Sequence, residues 1–313
     1  MVDICAGSVG DNPFTMTWYA FIGALEQGLV YGIMVLGVYL TFRVLDFPDL
    51  TVDGSLPLGA AVSAVAITHG FNSFLSLVLA AAAGFMAGSI TALLNTKLKI
   101  LHLLASILTM IALYSINIRI MDGPNISLLG VSTVLDPLMA LGVAGYVVAP
   151  VIYGVFALCI TAGMIWFLYT EIGQAMLATG DNPQMITSLG VNTHHIIILG
   201  VGLSNALVAV SGALVAQNQG AADVNMGIGT IIAGLASVIL GETVFGKAGV
   251  VRACVAVLLG SVLYRTAIAL ALGVKMGAFA FTPSDLNLIT ALLVVAALMA
   301  PKIKSRLAGK GPS

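Results

Sequence analysis

Of 313 residues, 59% are apolar and only 8% are charged, against roughly 25% charged in a water-soluble domain, and the mean hydropathy is +1.09, so a soluble globular fold is excluded. A net charge of −1 supplies no basic stripe, which argues against nucleic acid as a partner. Cys5, Cys159 and Cys254 lie too far apart for a disulfide framework or a CxxC metal site, and Cys159 and Cys254 read as small hydrophobes.

Residues 1–13 carry Asp3 and Asp11 but no short apolar core with a cleavage site, so the first span is expected to act as its own insertion signal. Apolar segments follow near 18–42, 54–70, 74–95, 101–120, 145–169, 194–217, 226–245, 250–272 and 285–300. Their length is that of membrane helices and they lack the alternation of barrel strands. The expected fold is all-α: a polytopic transmembrane bundle of about eight to ten spans, with interrupted helices and an inverted internal repeat. One transmembrane domain is expected over 1–313, its first half at 18–144 and its second at 145–301, with a cytoplasmic segment at 170–192. Short positively charged loops stay in the cytoplasm. Placing the tail with Lys302, Lys304, Arg306 and Lys310 inside also brings Arg43, Lys97, Lys99, Lys247 and Arg252 inside, leaving Arg119, Arg265 and Lys275 as exceptions. The N-terminus and the 121–144 connection then lie outside, and Trp18 and Tyr19 suit an outer interfacial anchor.

The first unusual stretch is Asp46-Phe-Pro-Asp-Leu-Thr-Val-Asp-Gly-Ser55, with three carboxylates in eight residues beside a span. Pro48 disfavours helix at Phe47, and Asp53 or Ser55 is placed to cap a new helix. Either this is a solvated turn with N-cap acids, or it is a broken helix lining a cavity. Small residues, Ala80 to Gly84 with Gly88 and later Gly227, Gly229 and Gly234, allow close helix approach within the bundle or between copies.

Between spans five and six lies the long polar segment 170–192. Asp181 or Asn182 serves as N-cap, Pro183 fits the first turn, and Gly190 fits the left-handed stop, which predicts a two-turn helix over 183–189. Met185, Ile186 and Leu189 are then an exposed apolar knob, either a docking element for another subunit or a helix packed back on its own bundle. The second hairpin, Gln217 to Gly229, again places an acid, Asp223, with Asn225 and glycines ahead of a small-residue helix. The two hairpins open to opposite sides, as in inverted-repeat transporters whose interrupted helices mark the pathway. Pathway residues are therefore expected among Asp46, Asp49, Thr51, Asp53, Gly54 and Ser55, and at Asp223 and Asn225. Ionisable groups inside spans, Glu26, Glu242 and Arg265, default to a functional hypothesis, and Glu26 and Arg265 share the outer half, where they can pair. His69, His102, His194 and His195 fit interfacial or capping roles better than a metal site. No catalytic or metal-ligating motif is present, and without a GxxxxGK[ST] loop the chain is not expected to be an enzyme or to bind ATP.

The runs Glu171-x-Gly173, Ala178-x-Gly180-x-Asn182-Pro183 and Leu189-Gly190-Val191-Asn192 resemble the coupling segment of bacterial ABC importer permeases of the branched-chain amino acid and ribose type. More specifically, 45–61, 105–117, 261–265 and 285–290 resemble the branch associated with tryptophan/tyrosine uptake, and the likeness extends from about Gly23 to Lys302. It implies a permease of the bacterial inner membrane importing a small solute, an aromatic or branched-chain amino acid. It further implies a homodimer, two cytoplasmic ATPase subunits that bind ATP and magnesium, and an extracytoplasmic solute-binding protein. The implied ATPase contacts are Glu171, Gly173, Gly180, Asp181, Asn182, Pro183, Met185, Leu189 and Gly190. The rival readings are an ion-coupled secondary transporter and a channel-like membrane protein.

Overall fold

Runs this apolar leave their backbone polar groups no partner in lipid except their own helix, and helices are what form. The computed structural model of the chain describes residues 18–136, 145–246, 249–273, 275–276, 279–280 and 295. The span expected at 285–300 and the basic tail lie outside these residues, as do Lys247 and the side chains of Trp18, Tyr19 and Lys275. Ten α-helices are present among those described. They are α1 (Trp18–Tyr39), α2 (Val52–Thr68), α3 (Ser73–Thr96), α4 (His102–Met121), α5 (Gly145–Tyr169), α6 (Glu171–Asp181), α7 (Pro183–Ser188), α8 (Thr193–Gln219), α9 (Thr230–Phe245) and α10 (Val250–Gly273). A π turn, Leu40–Val44, prolongs α1. Six of these stretches are long and apolar enough to cross a bilayer, whereas α2 and α9, with 17 and 16 residues, reach only about 25 Å against a core of about 30 Å.

The expected inverted repeat is visible in element lengths. The 22 residues of α1, extended by five in the π turn, match the 27 of α8. Each is followed by a non-helical link, a short helix (α2 or α9) and a 24-residue helix (α3 or α10). The Ser211 hydroxyl donates to the Val30 carbonyl (2.8 Å) and Ser204 to Gly37 (2.7 Å), so α1 and α8 run antiparallel. They form the buried centre of the molecule. α3 of the first half packs along α8 of the second, as α10 of the second half packs along α1 of the first. Gly84 and Gly88 meet the α8 backbone at Asn205 and Val201, and Ser261 donates to the Gly28 carbonyl at 2.8 Å. Side chains larger than hydrogen do not fit at Gly59 or Gly212, where α2 crosses α8: a Cβ at either would strike the backbone carbonyl of Ala209 or Leu56.

The all-α reading holds, with two details that the sequence did not announce. β1 (Asn125–Ser127) and β2 (Ala221–Asp223) form a three-residue antiparallel ladder that ties the two halves together at one end. A second small ladder pairs β3 (Lys275–Met276) with β4 (Phe279–Ala280). The elbow is also more helical than expected: α6 precedes the short helix, begun by Thr170, whose hydroxyl accepts from the Gly173 N–H. Its glycines are tolerated because they sit against backbone, Gly173 on Phe167 and Gly180 on Val44.

Candidate functional site

The link after α1 reverses sharply. Leu45 N–H bonds back to the Leu40 carbonyl (3.1 Å) and Phe47 N–H to Thr41 (2.9 Å), and Asp46 takes the left-handed conformation at φ 51°. From there 47–51 returns into the bundle. Asp49, fully buried, accepts from the Thr51 N–H (2.9 Å) and from the Asn205 amide (2.7 Å), and Asn205 in turn accepts from the Ser55 hydroxyl (2.6 Å). Thr51 pairs with Thr91 at 2.9 Å. These partners fix where α2 starts, at the level of the midpoint of α8.

The second link mirrors this from the opposite end. Beyond Gly220 in the left-handed conformation, β2 descends beside α2, Asp223 forms an Asx turn with the Asn225 N–H (2.6 Å), and Gly229 (φ 79°) starts α9. The α9 helix therefore begins at Thr230, four residues later than the apolar run suggests, since 224–229 is a turn.

The two short helices meet at their N-terminal ends, and Asp53 joins them. Asp53 stands in the first turn of α2, yet its carboxylate accepts from Gly229 N–H (3.2 Å), Ile231 N–H (2.9 Å) and the Thr230 hydroxyl (3.0 Å), which are the first groups of α9. The cap expected within its own helix is thus made across the junction, and Ser55 does not cap α2 either, being engaged with Asn205. A carboxylate there satisfies orphan N–H groups and opposes the positive end of α9. Pro57 has no N–H for the Asp53 carbonyl, and Gly227 packs against that carbonyl where any Cβ would collide.

A cavity of about 380 Å³ opens beside this junction. Asp53, Gly54 and Pro57 form its α2 wall, and Val224 and Ile228 the wall from the second link. The remaining wall is α4, with Met110, Ile111, Tyr114 and Asn117. Asn117 is fully buried and donates to the Gly54 carbonyl at 3.2 Å.

Of the sequence candidates, Asp53 and Gly54 line the cavity. Asp49, Thr51 and Ser55 are buried in the hydrogen-bonded network behind it, and Asp46 is exposed at the elbow end. Asp223 and Asn225 shape the second link without lining the cavity. Glu26 and Arg265 do not pair with each other: Arg265 lies over the Tyr31 ring at 3.7 Å, and Glu26 is hydrogen-bonded to Asn218. Glu242 instead takes a bidentate ion pair with Arg43 (2.7 and 3.0 Å). Sequence reasoning missed Tyr114, Asn117 and Asn205; an amide within an apolar span is the signal that marks the latter two.

At the elbow, Asn182 caps α7, accepting from the Met185 N–H (3.0 Å), with Pro183 in its first turn and Gly190 at φ 87° beyond its end. Met185 and Leu189 are exposed, but Ile186 is buried against the bundle, so the apolar knob has two members and not three. At the C-terminal end of α6, a Cβ on Gly180 would strike the Val44 carbonyl at the end of the π turn. Gly190 faces open space.

These features define a multi-pass helical membrane protein built on an inverted repeat, with two short helices meeting end to end inside the bundle. The chain belongs to the family described as branched-chain amino acid transport system / permease component, whose model matches residues 20–300. It is 40% identical over 277 residues to a tyrosine transport system permease protein of Clostridioides difficile, covering 88% of this chain and 90% of that one. An uncharacterized protein of Rickettsia prowazekii is 36% identical over 190 residues, covering 61% and 65%. More distant is the ribose import permease protein RbsC of Haemophilus influenzae, at 26% over 203 residues, covering 64% and 61%. The fold resembles PsaBC from Streptococcus pneumoniae, solved in complex with Fab, with a TM-score of 0.50 and 15% identity over 90% of this chain and 91% of that one.

Proposed function

We propose that this chain is the membrane subunit of an importer carrying an aromatic amino acid, tyrosine or a close analogue, driven by ATP hydrolysis on separate cytoplasmic subunits. The similarity to a tyrosine transport permease supports the substrate class. The observation that carries the coupling is the contact of Gly180 with Val44. Movement of α6 and α7 bears directly on the π turn, and only 45–51 separates that turn from the α2 end that carries Asp53. An ATPase gripping Met185 and Leu189 would therefore move the half-helix junction through a short covalent path.

In this reading the elbow faces the cytoplasm of a bacterial inner membrane and the N-terminus faces out. A solute-binding protein docks at the opposite end, where β1 and β2 lie. A second copy packs on the apolar face of α4, where Leu104 and Ile111 are 50% and 60% exposed. A cavity holding Asp53 and Asn117 is untenable against lipid, and the partner copy closes it. The test is reconstitution with the ATPase and binding protein into proteoliposomes. Uptake of labelled tyrosine should require ATP and survive collapse of ion gradients; uptake that follows a gradient and ignores ATP refutes the proposal.

A further inference from the structure

Among the described residues, the cavity at the half-helix junction offers one acceptor without a donor and one carboxylate without a counter-charge. Asn117 donates through its amide nitrogen to the Gly54 carbonyl, which fixes the orientation of the amide and leaves Oδ1 as the other atom. Among the described residues this Oδ1 has no hydrogen-bond partner, although Asn117 is fully buried. An unmet buried acceptor is costly, and one retained in a native structure calls for a physical reason, of which a bound donor is one. Asp53, on the α2 wall of the same cavity, has no cation within ion-pair distance among the described residues; its three donors are neutral. No Lys or Arg lines the cavity, while Tyr114, Met110 and Ile228 supply an aromatic and apolar surface.

We infer that this cavity binds the ammonium end of the transported solute, with Asn117 Oδ1 and the Asp53 charge facing the ammonium group and the aromatic side chain lying against Tyr114. An ammonium is a donor-only cation, which complements two acceptors, and an aromatic wall adds cation–π and stacking attraction. The solute carboxylate has no partner here and points to the open side. The permease itself therefore selects for the amine, independently of the binding protein. The inference deepens the importer reading and rests on it for the identity of the solute.

The test is ligand protection of the full chain with its ATPase in lipid nanodiscs, titrated with tyrosine, tyramine and 4-hydroxyphenylpropionate. Tyrosine and tyramine are expected to raise the unfolding temperature, and the acid lacking the amine is not. Asn117→Leu should weaken protection by the amines about tenfold or more, the loss of one charge-assisted hydrogen bond. Tyr114→Leu, at a half-exposed position whose change leaves the buried network intact, should weaken tyramine about threefold or more. Equal protection by 4-hydroxyphenylpropionate, protection by none of the three, or unchanged amine binding in both variants overturns the inference. ATP-driven uptake that persists alongside such a result leaves the importer standing without this pocket. Amine binding without any ATP-driven uptake does the reverse.

Discussion

Replacing Asp53 with alanine removes the acceptor of two backbone N–H groups, those of Gly229 and Ile231, at the start of α9. Each buried N–H left without a partner costs about 1–3 kcal/mol, so the gross loss is about 2–6 kcal/mol. Thr230 adds little, because its hydroxyl already has the Gly227 carbonyl as a second acceptor at 2.9 Å. Part of the loss is offset by no longer holding a partly desolvated carboxylate, which leaves about 2–3 kcal/mol. Asp53→Asn keeps an oxygen toward Ile231 but turns an NH₂ toward Gly229, and should cost about 1–2 kcal/mol. The assay is amide hydrogen exchange of the protein in detergent, read over 229–233. Protection should fall about 30- to 150-fold in Asp53→Ala and less in Asp53→Asn, with the ladder at 221–223 unaffected. Unchanged exchange at 229–233, or an equal loss throughout the bundle, refutes the idea that one side chain of the first half holds the short helix of the second.

Gly59→Ala and Gly212→Ala each drive a methyl into a carbonyl of the crossing helix and should each cost about 1–3 kcal/mol, measured as a lower midpoint of thermal unfolding. Leu189→Ser and Met185→Ser should release the ATPase in co-purification while changing the stability of the isolated permease by no more than about 0.5 kcal/mol, since both side chains are exposed. Ile186→Ala, a buried neighbour, should do the opposite and lower stability by about 2 kcal/mol or more. Arg43→Met strips the guanidinium from Glu242, which is 8% exposed, and should destabilise more than the double change Arg43→Met with Glu242→Met; a double-mutant cycle of thermal unfolding checks this.

Helix positions were legible in the sequence because hydropathy in a membrane protein reports the solvent directly: the observed start of α3 at Ser73 and end of α8 at Gln219 lie within two residues of the apolar segments. The elbow helix α7 was legible because capping chemistry is local, and Asn182, Pro183 and Gly190 supply it without reference to the rest of the fold. The helix α6 was not, because glycines such as Gly173 and Gly180 lower helix propensity, and the backbones they pack against are not visible in the sequence. Asp53 shows the same limit more sharply. Sequence places it where an N-cap belongs, but which helix it caps depends on a contact 176 to 178 residues away along the chain. The partner of Arg265 was misread for a related reason: a shared depth in the membrane leaves rotation about the helix axis undetermined, and Arg265 faces Tyr31 instead of Glu26.

The repeat is symmetric in its backbone and asymmetric in its chemistry, and the asymmetry decides which half can respond. The start of α2 is held by buried side chains on α3 and α8, through Thr51 with Thr91 and through Asp49 and Ser55 with Asn205. The start of α9 is held chiefly by Asp53, a residue of the other half. Displacing the link 45–51 from the elbow therefore strains one end of a junction whose other end depends on it, and the two short helices are expected to shift together. Cysteines placed at Gly54 and Ile228, on opposite walls of the cavity, offer a direct check. Their cross-linking rate should change when nucleotide binds the ATPase in the assembled complex, and in Asp53→Ala it should lose that dependence. A rate indifferent to nucleotide in both proteins would mean that the elbow and the junction move independently.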